Sequence, residues 1–143
     1  MLSHLNAWRA AKMVEWFVKF RAGSCIEPEI IPVTIADTDA LLNFLYQQIG
    51  CSSVETVRFG RSGTSVLVVD EEGLLKKDPV PNIVGCALYP GYLVGNLILC
   101  EEGTRDGEPD IVGFSSMIEA HAAAQAAKTV AQLKMMHDYP DPE

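Results

Sequence analysis

Residues 93–100 read Leu-Val-Gly-Asn-Leu-Ile-Leu-Cys. A run this apolar must be buried. It is far shorter than the roughly 18 residues of a membrane-spanning helix, so it reads as a central strand. A domain built on it needs further strands, and the chain supplies them. Residues 54–59 and 64–69 flank a turn at Gly60-Arg61-Ser62-Gly63 and form the clearest hairpin in the sequence. In residues 29–35, Ile31, Val33 and Ile35 alternate on one face, and Pro32 places that strand at an edge or a strand start. Residues 111–114 read as a last short strand.

Helices are expected at three places. Asp37-Thr38-Asp39 offers N-cap side chains, Leu41, Leu42, Phe44, Leu45 and Ile49 form a buried stripe, and Gly50 closes the helix. Residues 5–20 read as an N-terminal helix, because Ala10, Met13, Val14 and Phe17 fall at i, i+3, i+4 and i+7. Residues 115–137 read as a long C-terminal helix capped by Ser115, with Ser116 adjacent. Its alanines offer two stripes: Ala123, Ala127 and Val130, or Ala120, Ala124, Ala127 and Ala131. Either stripe suits packing on the chain's own sheet or in a subunit interface. Residues 74–84, broken by Pro79 and Pro81, read as irregular, and residues 101–110 as a polar loop.

The fold class is therefore α+β. A small antiparallel or mixed sheet of four to five strands carries one inserted helix, with long N- and C-terminal helices. The 143 residues suffice for a single domain. Its parts are an N-terminal helix (1–24), an α/β core (29–114), a C-terminal helix (115–137) and a flexible acidic tail (138–143).

Charge and composition narrow the function. Nineteen Asp and Glu against eleven Lys and Arg leave a net charge of -8, which argues against general affinity for nucleic-acid backbones. A hydrophobic share of 48% rules out a disordered chain. The four cysteines are widely spaced, without the close pairs of a structural zinc site. Arg9, Lys12, Glu15 and Lys19 interrupt any secretory leader, so free thiols in the cytoplasm are expected. His4, His121 and His137 fall in the terminal helices, apart from Cys51, Ser52 and Ser53, which gives a Ser-His or Cys-His hydrolase little support. The acidic groups at 70–72 and 101–110 lack calcium-loop spacing and read as solvated turns. No metal or cofactor is expected.

The middle of the chain resembles the domain of unknown function 3846 family of small phage and plasmid proteins. The resemblance rests on the helix ending Gln47-Gln48-Ile49-Gly50, on Val54-Glu55-Thr56-Val57, and on Val68-Val69-Asp70-Glu71-Glu72-Gly73-Leu74-Leu75. A proline and Asn82, Ala87-Leu88-Tyr89 and Leu93-Val94-Gly95-Asn96 complete it. It covers residues 29–114. Where the family has Gly-Tyr-Ile-Glu after the helix glycine, this chain has Cys51-Ser52-Ser53-Val54-Glu55. The resemblance implies an accessory protein of a mobile element. It assigns no activity and no catalytic residue.

Two groups of residues suit a ligand. Arg58, Arg61, Ser62 and Thr64 crowd the hairpin, where arginine forks, hydroxyls and glycine-rich backbone match phosphate oxygens. An ordinary exposed turn would carry the same residues. Tyr89 and Tyr92 offer rings for stacking a base, with Asn82 and Asn96 as edge readers; half-buried tyrosines with wet hydroxyls are the plainer reading. The expected function is that of a phage-type counter-defence protein. It would bind and sequester a small phosphorylated ligand, a nucleotide immune signal, without catalysis, in the host cytoplasm. A homo-oligomer through the terminal helices is the expected assembly. One alternative is an acidic inhibitor of a host defence nuclease or DNA-binding protein. A hydrolase acting on a nucleotide or small metabolite, through metal-binding carboxylates or a nucleophile, is a third class.

Overall fold

The apolar runs of the sequence become strands covered on both faces. The computed structural model describes residues 13–60 and 63–138. In chain order these form β1 (Val14–Phe20), β2 (Glu29–Thr34), α1 (Thr38–Ile49), β3 (Val54–Arg58), β4 (Ser65–Asp70), a 3-10 turn (Gly73–Leu75), α2 (Ile83–Leu88), β5 (Leu97–Arg105), β6 (Glu108–Val112) and α3 (Met117–Asp138). The strands make one antiparallel sheet in the order β2-β1-β5-β4-β3. β6 pairs with the distal half of β5, on the side where β1 pairs with the proximal half.

Side-chain alternation divides the core into two layers. Val66, Val68, Ile98, Cys100 and Phe17 pack under Leu41, Leu45 and Ile49 of α1. Leu67, Val69, Leu97, Leu99, Val18 and Phe20 face α2 and α3 instead. Successive residues of β4 and β5 are thus buried on opposite faces, as period-two geometry requires. This is why those strands lack polar alternation.

The capping signals at 37–50 act as the residues suggest. Asp37 accepts a hydrogen bond from the Ala40 N–H at 2.8 Å, and Gly50 closes α1 at φ 81°. In α3, Ala120, Ala124, Ala127 and Ala131 are buried against the sheet, so that stripe packs within the chain. Ser116 caps the helix, accepting from the Glu119 N–H at 3.1 Å.

The structure corrects three expectations. Residues 14–20 are not helical: β1 lies inside the sheet, between β2 and β5. Apolar residues fill nearly every position from Val14 to Phe20, so both the helical and the strand period fit. Pairing with β2 and β5, together with the β-branched and aromatic content, decides for the strand. The rest of the expected N-terminal helix, residues 5–12, lies outside the described residues, as does the tail at 139–143. Residues 101–110 are no loop but the arms of a hairpin, turned at Asp106 and Gly107 with φ 54° and 80°. With β1 added, the sheet has six strands rather than four to five. The stretch 74–84, expected to be irregular, contains the 3-10 turn and opens α2.

One polar clasp ties β1, β5 and β6 together. Arg105 donates to both Glu15 oxygens at 2.7 and 2.8 Å, to Asp110 at 3.1 Å and to the Ile111 carbonyl at 3.0 Å. The Glu15 carboxylate also accepts the Gly113 N–H. Among the described residues no helix is long and apolar enough to cross a membrane.

Candidate functional site

The six ligand candidates among the described residues do not form one site. Arg58, at the end of β3, forks onto Glu102 at 2.6 and 2.8 Å. Thr64 donates to Glu101 at 2.9 Å. The donors at the hairpin base are thus already met by two carboxylates of β5, which an incoming anion would have to displace. Arg61 and Ser62 lie outside the described residues.

Asn82 and Asn96 lie at the other end of β5. Six residues separate Asn96 from Glu102, about 20 Å along an extended strand. Asn82 is wholly buried and caps α2. Its amide donates to the carbonyls of Phe20 (3.0 Å) and Gly95 (2.9 Å), and its oxygen accepts the Gly85 N–H at 3.0 Å. Every polar atom of that side chain is spent inside the fold. Asn96 accepts the Ala22 N–H at 2.9 Å through its oxygen, and no described residue accepts from its amide nitrogen. Tyr89 is half-buried against the α3-side core, and Tyr92 is exposed.

Asn96 opens onto a cleft of about 220 Å³. Its walls are the end of β1 at Ala22, the end of α1 at Ile49, the turn from Asp70 to Gly73, the segment Lys76 to Val80, and Val94 to Asn96. Two glycines shape it. Gly73 is buried where a Cβ would come 2.8 Å from a methyl of Val94, so only glycine lets the turn seat there. Gly95, at φ 81°, reverses the chain just before Asn96.

The charges in the cleft differ in their freedom. Asp70 binds the Lys76 ammonium at 2.7 Å, and Lys76 also donates to the Gly50 carbonyl at 2.9 Å. That hydrogen bond to Asp70 raises the Lys76 pKa above the ordinary lysine value, so the ammonium stays charged and committed. It neutralises the carbonyl end of α1. Lys77, next to it, has no ion pair among the described residues. Asp78 follows in the left-handed region at φ 55°. The cleft can thus offer an anion one free ammonium and one free amide. Sequence reasoning missed Lys76 and Lys77, although a lysine pair six residues past Asp70 in so acidic a chain was a signal.

The thiols differ in environment. Burial, with the Glu101 charge secondary, pushes the Cys100 pKa far above the ordinary thiol value of 9.0. Burial, then the Asp70 charge, also raises Cys51. A raised thiol pKa stabilises the fold fully below the ordinary value, and that contribution fades as pH rises above it. Stability should therefore decline above about pH 9. At pH 8, alkylation followed by mass spectrometry should modify exposed Cys25 first and Cys100 only after unfolding. Equal rates at the two sites would contradict this burial. Among the described residues no group of three or more His, Cys, Asp and Glu is placed to hold a metal ion.

A family model described as domain of unknown function (DUF3846) matches residues 23–121. No curated protein and no solved structure matches the chain.

Proposed function

The chain belongs to the family described as domain of unknown function (DUF3846), and we propose that it binds a small, phosphate-bearing ligand, without chemistry, in the cleft of Lys77 and Asn96. One observation carries this reading. Two of the segments that bear the family likeness meet there, Asp70 and Gly73 from one, Val94 to Asn96 from the other. Where they meet, a free ammonium and a free amide face a shaped concavity. Ammonium and amide N–H groups are suited to phosphate oxygens. Typical small-molecule sites run to roughly 300–1,000 Å³, so a cleft of about 220 Å³ suits the phosphoryl end of a ligand rather than a whole dinucleotide. The resemblance implies an accessory protein of a mobile element; if that accessory role is counter-defence, the ligand is a nucleotide immune signal.

The acidic-inhibitor alternative draws less support. Glu15, Glu27, Glu29, Asp70, Glu102 and Asp110 are held by cations of the same chain. Carboxylates neutralised in this way are poor imitations of a phosphate backbone.

Calorimetric titration with inorganic phosphate and with ADP-ribose tests the proposal. Lys77→Ala should weaken binding roughly tenfold, the equivalent of about 1.4 kcal/mol for a charge-assisted contact. Arg58→Ala should leave binding unchanged. The reverse pattern would move the site to the hairpin, and absence of binding by both probes would overturn the reading.

A further inference from the structure

The outward face of α3 is unlike that of an ordinary surface helix. With Ala120, Ala124, Ala127 and Ala131 turned to the sheet, the opposite line runs Ile118, Ala122, Gln125, Thr129, Leu133 and Met136. Solvent-facing helix lines are normally charged or polar. This one holds no charged residue over about 27 Å of helix. Ile118 is 79% exposed, Leu133 60% and Met136 73%. The steps are of four and three residues, the kind of spacing a helix–helix seam uses. The family model ends at residue 121, so nearly all of this strip belongs to what this chain adds.

We propose that a second copy of the chain covers this strip, the two α3 helices packing antiparallel about a two-fold axis. Charge selects the occupant. Each copy carries -8, so two copies repel wherever acidic surfaces meet. The uncharged α3 line is where they approach at least cost, whereas a basic partner would seek the carboxylates elsewhere. The sequence of the strip is also self-complementary in the antiparallel sense. An axis level with residue 127 sets Ile118 of one copy against Met136 of the other and Gln125 against Thr129, and brings Ala122 within one residue of Leu133. Large apolar residues meet at the two ends, Ala122 makes room for Leu133, polar faces polar, and the helix dipoles oppose. The seam is formed by the outward line, not by the alanine stripe buried in the core.

Sedimentation equilibrium on the full chain, across roughly 1 μM to 1 mM, the span of modest affinities, reads the outcome. The wild type should rise from 15.6 kDa towards twice that mass. Leu133→Glu should stay monomeric with an unchanged circular-dichroism spectrum, since the side chain already faces solvent. Lys134→Glu, about 100° round the helix from Leu133 and off the seam, should dimerise like the wild type. A monomeric wild type throughout the range overturns the proposal, as does a Leu133→Glu protein that still dimerises. Dissociation by Lys134→Glu equal to that by Leu133→Glu would overturn the placement of the seam.

Discussion

Asn82→Leu should cost about 2–6 kcal/mol, taking roughly 1–3 kcal/mol for each of the two fully buried groups left unpaired, the half-buried Gly95 carbonyl being open to water. Three groups lose their partner: the carbonyls of Phe20 and Gly95, and the N–H of Gly85. Leucine keeps the branched outline but is bulkier, so the loss reports lost hydrogen bonding together with overpacking, not a cavity. Natural domains are stable by only about 5–15 kcal/mol, and this one residue would remove a large part of that margin. Asn82→Asp should also be destabilising. Its oxygens can still accept from Gly85, but a carboxylate cannot donate to the two carbonyls and is repelled by them. Urea unfolding at neutral pH measures both. A loss below about 1 kcal/mol for Asn82→Leu would mean that water replaces the amide.

Arg105→Ala should destabilise the protein by about 3–5 kcal/mol, the usual consequence of removing one partner of a buried ion pair. The Arg105 side chain is only 10% exposed and that of Glu15 17%. Without the guanidinium, the Glu15 and Asp110 carboxylates would face each other with no cation between them. Arg105→Lys should recover only part of the loss, since a single ammonium cannot fork onto Glu15 while holding Asp110. Urea titration of the two variants against wild type decides. Equal stability of Arg105→Ala and wild type would show that the clasp is replaceable by water.

The legible parts of the fold were those with local chemistry. Asp37 and Gly50 delimit α1 because capping and left-handed closure depend on neighbouring residues alone. The β3–β4 hairpin was legible for the same reason. β1 was not, because residues 13–20 are apolar at both periods and only contacts with β2 and β5 choose between them. The β5–β6 hairpin was legible but missed: Asp106-Gly107 is a strong two-residue turn signal, masked by the polar residues around it. The site divides in the same way. Arg58 and Thr64 look free in the sequence because Glu101 and Glu102 are more than thirty residues away along the chain. Asn82 looks like a ligand reader because burial leaves no mark on a lone asparagine. The cleft is assembled from segments far apart in sequence, and of the six candidates among the described residues only Asn96 lines it.

The claim that the cleft is the ligand site is tested most directly by amide chemical-shift mapping of the labelled full chain during titration with ADP-ribose. The account predicts shifts at Lys77, Asp78, Gly95 and Asn96, with Gly60 and Thr64 unmoved. Shifts confined to Gly60 and Thr64, or none at saturating ligand, would contradict it.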